Sequence, residues 1–250
     1  FGGFTLKLMQ IDPMGGEPVE VADLTEPLGG RLIRFGVQRF YLSGPSAISP
    51  DGRTLAVLAT SAQEMALGQA DGLWLLDLET PDAPPRQVAP VDAFQAGLPP
   101  WQDQPAVPRG LQWTADGQGL VVAALSNDLR LPLLLVSYVD AASGELTAIN
   151  DYSDVATRAD FFVLPGPGQK PRRYAIPWTA AVAPTANVAL LLNDLGGVLT
   201  ISQAALPGGE PRIALQRASP GHEVWTRASA AANGAILVYG LLLETEALSE

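Results

Sequence analysis

The chain contains no cysteine and a single histidine, His222. The first absence removes disulfides, thiolate metal sites, iron–sulfur clusters and cysteine nucleophiles together. The second leaves no transition-metal constellation and one residue on which a Ser-His-Asp triad could be built. No Gly-x-Ser-x-Gly elbow accompanies it, so His222 reads as a loop residue ahead of a strand. Charge is also scarce: charged residues make up 16% of the chain, and 26 acidic against 15 basic residues give a formal net charge of −11. A field of that sign repels phosphate backbones and anionic lipid surfaces, which argues against nucleic acid as a partner. Long apolar runs are missing as well. Residues 236–243 are short and carry Gly240, and residues 188–201 are broken by Asn193, Asp194, Gly196 and Gly197, so no membrane span is expected in this chain. The chain starts at Phe1 without a signal-peptide pattern, and the expectation is a processed product or a piece of something longer.

What the sequence does have is apolar content and punctuation. Hydrophobic residues make up 47% of 250 residues, with 25 glycines and 22 prolines, the profile of a globular protein cut into many short segments. Four segments share one pattern, a tight turn followed by a β-rich run: SPDGRTLAVLAT (49–60), TADGQGLVVAAL (114–125), APTANVALLLND (183–194) and AAANGAILVYG (230–240). Asp-Gly and Asn-Gly tolerate the positive φ angles that tight hairpin turns need. Asp51 and Asp116 are 65 residues apart, and the ends of the chain repeat each other, FGGFTLKLMQIDPMGGEPVEV (1–21) against LGGVLTISQAALPGGEPRIAL (195–215), at roughly three times that spacing. Asn127-Asp128-Leu129 likewise precedes Asn193-Asp194-Leu195 by 66 residues. A period of this kind marks a repeat architecture.

Each repeat divides into four strands. The spacing predicts units over about 46–89, 111–149 and 178–215, an outer strand pair over 1–21 and an inner pair over 224–241, with extra strands near 31–35 and 161–164 and one or two helical turns near 153–160. A single sheet of this type has open edges and two apolar faces, so Leu55, Val57, Leu120, Val122, Leu190 and Leu192 are expected to be buried against neighbouring sheets. The expected fold is therefore all-β, a β-propeller of four-stranded antiparallel blades with a repeat of about 65 residues. Its two end pairs would either close one shared blade or belong to a larger ring.

The combination AISPDGRTLAV with GLWLLDLET resembles the β-propeller repeats of TolB-like and WD-repeat-like proteins, over most of the chain. The Trp-Asp dipeptide of WD repeats is absent. The resemblance implies a propeller that contacts other proteins from an extracytoplasmic address. The alternative it implies is the gating propeller of a prolyl-oligopeptidase-type serine hydrolase, whose catalytic residues lie outside the propeller. With Lys7 and Lys170 as the sole lysines beside many arginines and alanines, a GC-rich bacterial source is expected.

No catalytic, cofactor-binding or metal-ligating set is assigned. Asp151 with Asp154 is the best oxygen cluster but lacks calcium-loop spacing. LPGPGQKPRR (164–173) departs from the phosphate-loop pattern, and its prolines remove backbone donors. Its Lys170, Arg172 and Arg173 form the one dense basic cluster, a solvated surface or a dock for an acidic partner. Of the tryptophans, Trp74, Trp113, Trp178 and Trp225 sit at strand positions that favour core packing, whereas Trp101, in LPPWQDQP, is the candidate partner contact. The expected partners are other proteins.

Far-UV circular dichroism is expected to show β structure with little helix; a helical content near one third would remove the propeller reading.

Overall fold

Runs such as TLAVLAT place branched and small apolar residues at every position, a pattern that a strand tolerates only where both of its faces are covered. The computed structural model, which describes residues 7–25, 32–33, 45–60, 72–80, 83–102, 106–126, 133–157, 179–183, 186–195, 198–218, 223–230 and 236–242, meets that condition by stacking antiparallel sheets. The strands are β1 (Lys7–Gln10), β2 (Val19–Asp23), β3 (Leu32–Ile33), β4 (Ser46–Ile48), β5 (Thr54–Thr60), β6 (Gly72–Asp77) and β7 (Arg86–Pro90). They continue with β8 (Ala106–Trp113), β9 (Gly119–Ser126), β10 (Leu134–Asp140), β11 (Leu146–Ala148), β12 (Thr179–Val182), β13 (Val188–Leu195), β14 (Val198–Ala205), β15 (Arg212–Ala218), β16 (Glu223–Ala230) and β17 (Ile236–Leu242).

Three sheets follow one another along the chain. The first runs β4-β5-β6-β7, with β3 paired to the far end of β5; the second is β8 to β11 and the third β12 to β15, each in sequence order. The chain is thus all-β, with consecutive antiparallel sheets of four strands consistent with propeller blades. The pairs β1-β2 and β16-β17 stand as separate two-stranded sheets among the described residues. The extra strand expected near residue 31 is β3; the one expected at 161–164 lies outside the described residues.

Side chains alternate across each sheet, and each face meets a different neighbour. Ala56, Leu58, Leu73 and Leu75 of the first sheet pack with Leu111, Leu120, Val122 and Leu135 of the second. On its other face the second sheet presents Val121, Ala123, Leu134 and Val136 to Ala180, Val182, Ala189 and Leu191 of the third. Leu55, Val57 and Ala59 turn the remaining face of the first sheet toward Leu8, Ala22 and Leu24 of the β1-β2 region. Each such Leu or Val withdrawn from water contributes roughly 1.5–3 kcal/mol. The leading strands lie side by side, β4 next to β8, β8 next to β12 and β12 next to β16.

Two elements depart from expectation. Of the helical turns expected at 153–160, residues 153–157 form a turn followed by irregular chain, and residues 158–160 lie outside the described residues. The one short helix among the described residues is a 3-10 turn at Val91–Gln95, inside a segment expected to be a plain connection. Tertiary contacts dictate it: Phe94 is buried against the first two sheets, and the Gln95 side chain donates to Ala106 O and accepts from Ala106 N, both at 2.8 Å. The strand β8 also begins five residues earlier than expected, because Pro108 sits at a shift of register between Pro108 and Gly110, where its missing N–H costs no ladder bond.

A buried polar knot closes the second sheet. Beyond β11, the Asn150 side chain accepts from Val136 N at 2.6 Å and donates to Leu134 O and to the Tyr152 hydroxyl, each at 2.7 Å. Tyr152 is wholly buried, which pushes its phenol far up, and it donates to Leu134 O at 3.2 Å. Replacing Asn150 with alanine strands the Val136 amide and a share of the Leu134 carbonyl; the expected loss is about 2–4 kcal/mol of unfolding free energy, against about 1 kcal/mol for Tyr152→Phe. Urea unfolding of the two variants checks this, and equal losses would show that Asn150 is not the centre of the knot.

Candidate functional site

The repeated Ser/Thr-x-Asp-Gly turn forms the same small network twice. Between β4 and β5, the Ser49 hydroxyl donates to Asp51 Oδ1 at 2.5 Å and accepts from Thr54 N at 2.9 Å, while Arg53 N donates to the same carboxylate at 3.1 Å. Between β8 and β9, the Thr114 hydroxyl donates to Asp116 Oδ1 at 2.7 Å and accepts from Gly119 N at 3.1 Å, and Gln118 N donates to Asp116 at 3.0 Å. Gly52 and Gly117 take φ values of +77° and +70°, which explains the glycine after each aspartate. The third turn has Ala183 where the hydroxyl would stand and Thr185 where the carboxylate would stand. It is tied instead to its neighbour, since the Asn187 amide donates to Asp116.

A second set of aspartates caps the turns between third and fourth strands. Asp77 accepts from Glu79 N and from the Thr80 hydroxyl, and Asp140 accepts from Ala142 N, Ser143 N and the Ser143 hydroxyl. Asp12, between β1 and β2, accepts from Met14 N in the same manner. Both kinds of turn lie at one end of each sheet: Leu78 N donates to Arg53 O at 2.8 Å and Ala141 N to Gln118 O at 3.0 Å. One face of the molecule is therefore built from these turns. Arg86 of β7 fastens it by donating to Ala141 O and Ala142 O across the boundary between sheets, and Gly144 packs so close to Val88 O that a Cβ there would lie 2.3 Å away.

On this face, between the ends of β4 and β8, is a groove of about 370 Å³ lined by Ala47, Ile48, Pro50, Gln112, Trp113, Thr114 and Ala115. Every polar side chain lining it is engaged. The Trp113 indole donates to Ala47 O at 3.0 Å, joining β8 to β4. The Gln112 amide accepts from Val182 N at 3.1 Å and donates to Val182 O at 3.3 Å, joining β8 to β12. Thr114 is held by its own turn. What the groove offers a visitor is mixed surface, more apolar than polar, with Ile48 55% exposed at its edge.

The carboxylates around it are held ionised. Asp51 lies below the usual carboxylate range because the Ser49 hydroxyl and the Arg53 amide donate to it; Asp77 does so through the Thr80 hydroxyl and the Glu79 amide, and Asp140 through the Ser143 amide and hydroxyl. Partial burial pushes Asp116 upward, but the Thr114 hydroxyl, the Gln118 amide and the Asn187 amide outweigh it and bring it below the range too.

Of the residues singled out from sequence, Trp101 lies away from this groove. It is half-buried, packs against the core between the first and second sheets and donates its indole N–H to Val155 O at 2.9 Å. Lys170, Arg172, Arg173 and His222 lie outside the described residues, as do Trp178 and the side chain of Trp225. Trp113 is 8% exposed and Trp74 packs partly buried on the first sheet's other face. Asp151 accepts from Ser153 N within an exposed turn. Among the described residues no group of three or more His, Cys, Asp or Glu side chains is placed to hold a metal ion, and no helix is long and apolar enough to cross a membrane. The hydroxyl that precedes each Asp-Gly by two positions, and the Asp-x-x-Thr/Ser spacing at Asp77 and Asp140, are the signals by which the turn face could have been found in the sequence.

No family model matches the chain, and no curated protein matches it. Among solved structures, TolB from Acinetobacter baumannii is 15% identical with a TM-score of 0.41, over 94% of this chain and 46% of that one. Porphyromonas gingivalis dipeptidyl peptidase 4 is 12% identical with a TM-score of 0.45, over 77% of this chain and 28% of that one. A putative 6-phosphogluconolactonase from Bacteroides fragilis is 11% identical with a TM-score of 0.34, over 86% and 65% of the two chains. The chain spans less than two thirds of the length of each.

A carboxylate whose pKa falls on folding stabilises the fold above its unfolded value, about 3.9, and that contribution is lost as the pH drops through the folded value. The urea midpoint is expected to decline below about pH 4 as Asp51, Asp77, Asp116 and Asp140 protonate, and Asp51→Asn with Asp140→Asn is expected to flatten that decline. An unchanged acid profile in the double variant would show that these turns do not set it.

Proposed function

We propose that the chain is a β-propeller module without catalysis of its own, a scaffold or subunit that presents its turn face to other proteins within a larger extracytoplasmic assembly. Sheets of four antiparallel strands that follow one another, with leading strands adjacent and both faces covered, support the propeller reading. The observation that carries the interaction reading is the chemistry of the groove. Its indole and amide are spent on holding neighbouring sheets together and its hydroxyl on its own turn, which leaves a mostly apolar depression beside exposed carboxylates. Rigid backbone-anchored walls with an apolar floor suit a docked side chain. The address and the assembly rest on the resemblance of the Ser-Pro-Asp-Gly repeats alone.

Purified chain incubated with p-nitrophenyl esters, dipeptidyl aminocoumarins and gluconolactone is expected to show no turnover above buffer. Turnover that copurifies with the chain to homogeneity and disappears in His222→Ala would overturn the non-catalytic reading.

A further inference from the structure

The groove between β4 and β8 says what kind of segment it would take. Pro50 and Ala115 occupy the same position in the two repeated turns, and both line the groove. Each is followed by an aspartate whose side chain is fixed at its own turn, so Asp51 and Asp116 flank the groove as two anchored negative charges. Asp77 and Asp140 stand on the adjacent turns of the same face. Arg53 attracts Asp51 and Arg86 attracts Asp140, but these two cations are outnumbered by Asp51, Asp77, Glu79, Asp116 and Asp140. Arg53 lies 3.2 Å from Glu79, and Arg86 spends its guanidinium on the carbonyls of Ala141 and Ala142. The chain as a whole carries a formal charge of −11.

We infer that this groove docks a short segment of a partner protein in which one apolar side chain is flanked by lysine or arginine. The inference rests on the reading of the chain as an interaction module and names the chemistry of its partner. The apolar side chain fills the depression, where no free polar side chain competes for it; the flanking cations meet Asp51 and Asp116, which set the register and exclude acidic segments. The docking surface is drawn from both sheets, and the Trp113 indole is one of the contacts that hold β8 beside β4.

Fluorescence anisotropy of the full chain with three labelled decapeptides tests it. They share Gly-Ser flanks and have Lys-Arg-Leu-Arg-Lys, Glu-Asp-Leu-Asp-Glu or Lys-Arg-Gly-Arg-Lys at the centre. The first is expected to bind about tenfold more tightly than either of the others, and to weaken about threefold or more between low and physiological salt. Ala115→Arg and Pro50→Arg, which fill the groove without touching the turn networks, are expected to weaken it about tenfold. Asp51→Asn with Asp116→Asn, which keeps the hydrogen-bond acceptors and removes the charge, is expected to weaken it several-fold and to lower the salt dependence. Gln216→Arg on β15 is the control, and urea midpoints confirm that each variant is folded. Binding of the acidic or glycine peptide that Ala115→Arg abolishes would overturn the cationic, apolar-anchored partner while leaving the interaction reading in place. Binding of the first peptide that is indifferent to Ala115→Arg, or no binding of any peptide, would overturn the groove as a docking site.

Discussion

An antiparallel sheet that is apolar on both faces cannot stand alone, and the rest of this structure follows from that constraint. Strand β9 carries Leu120, Val121, Val122, Ala123 and Ala124 in unbroken succession, all buried, with alternate residues in different cores. Such a strand must have a neighbour on each side. Stacking supplies them, and it fixes the order of the molecule: a sheet's place is defined by the two cores it separates, and its leading strand is set beside that of the next sheet.

Apolar packing alone would let sheets slide over one another. Register between them is set by a few directional contacts that cross the boundaries: Trp113 to Ala47, Gln112 to Val182, Arg86 to Ala141 and Ala142, Asn187 to Asp116. Most of these use the turn face or the strand ends beside it. Two of the residues that shape the groove, Gln112 and Trp113, are therefore also residues that align the sheets. Its rigidity is a by-product of how the stack is held, and its loss of free polar groups is the cost of that alignment.

Much of the fold was legible in the chain because it depends on local rules. Asp-Gly turns and alternating apolar runs placed the strands of the three sheets to within a few residues, and the period near 65 residues grouped them in fours. What escaped was set by distant partners. The 3-10 turn at Val91–Gln95 exists because Phe94 and Gln95 find the core and the edge of β8, and the early start of β8 was hidden by Pro108, which reads as a strand breaker until the irregular register around it is known. Trp101 looked like a contact because its neighbours are Pro and Gln; in the fold its indole is spent on Val155, more than fifty residues away in sequence. The groove was invisible for the same reason, since Pro50 and Ala115 meet only after two repeats have stacked.

The stack also grades the molecule's resistance to opening. Among the described residues the second sheet is flanked by the two largest cores, while β15 leaves Ile213 and Leu215 at 37% and 46% exposure. In an array coupled through nearest neighbours, the sheet between the largest cores opens last, and amide hydrogens of β9 and β10 are expected to exchange last. The groove straddles this gradient, with β8 in the most protected sheet and the three-residue β4 in the sheet before it. A bound segment that bridges the two strands would slow amide exchange in β4 before it changed the global stability of the chain.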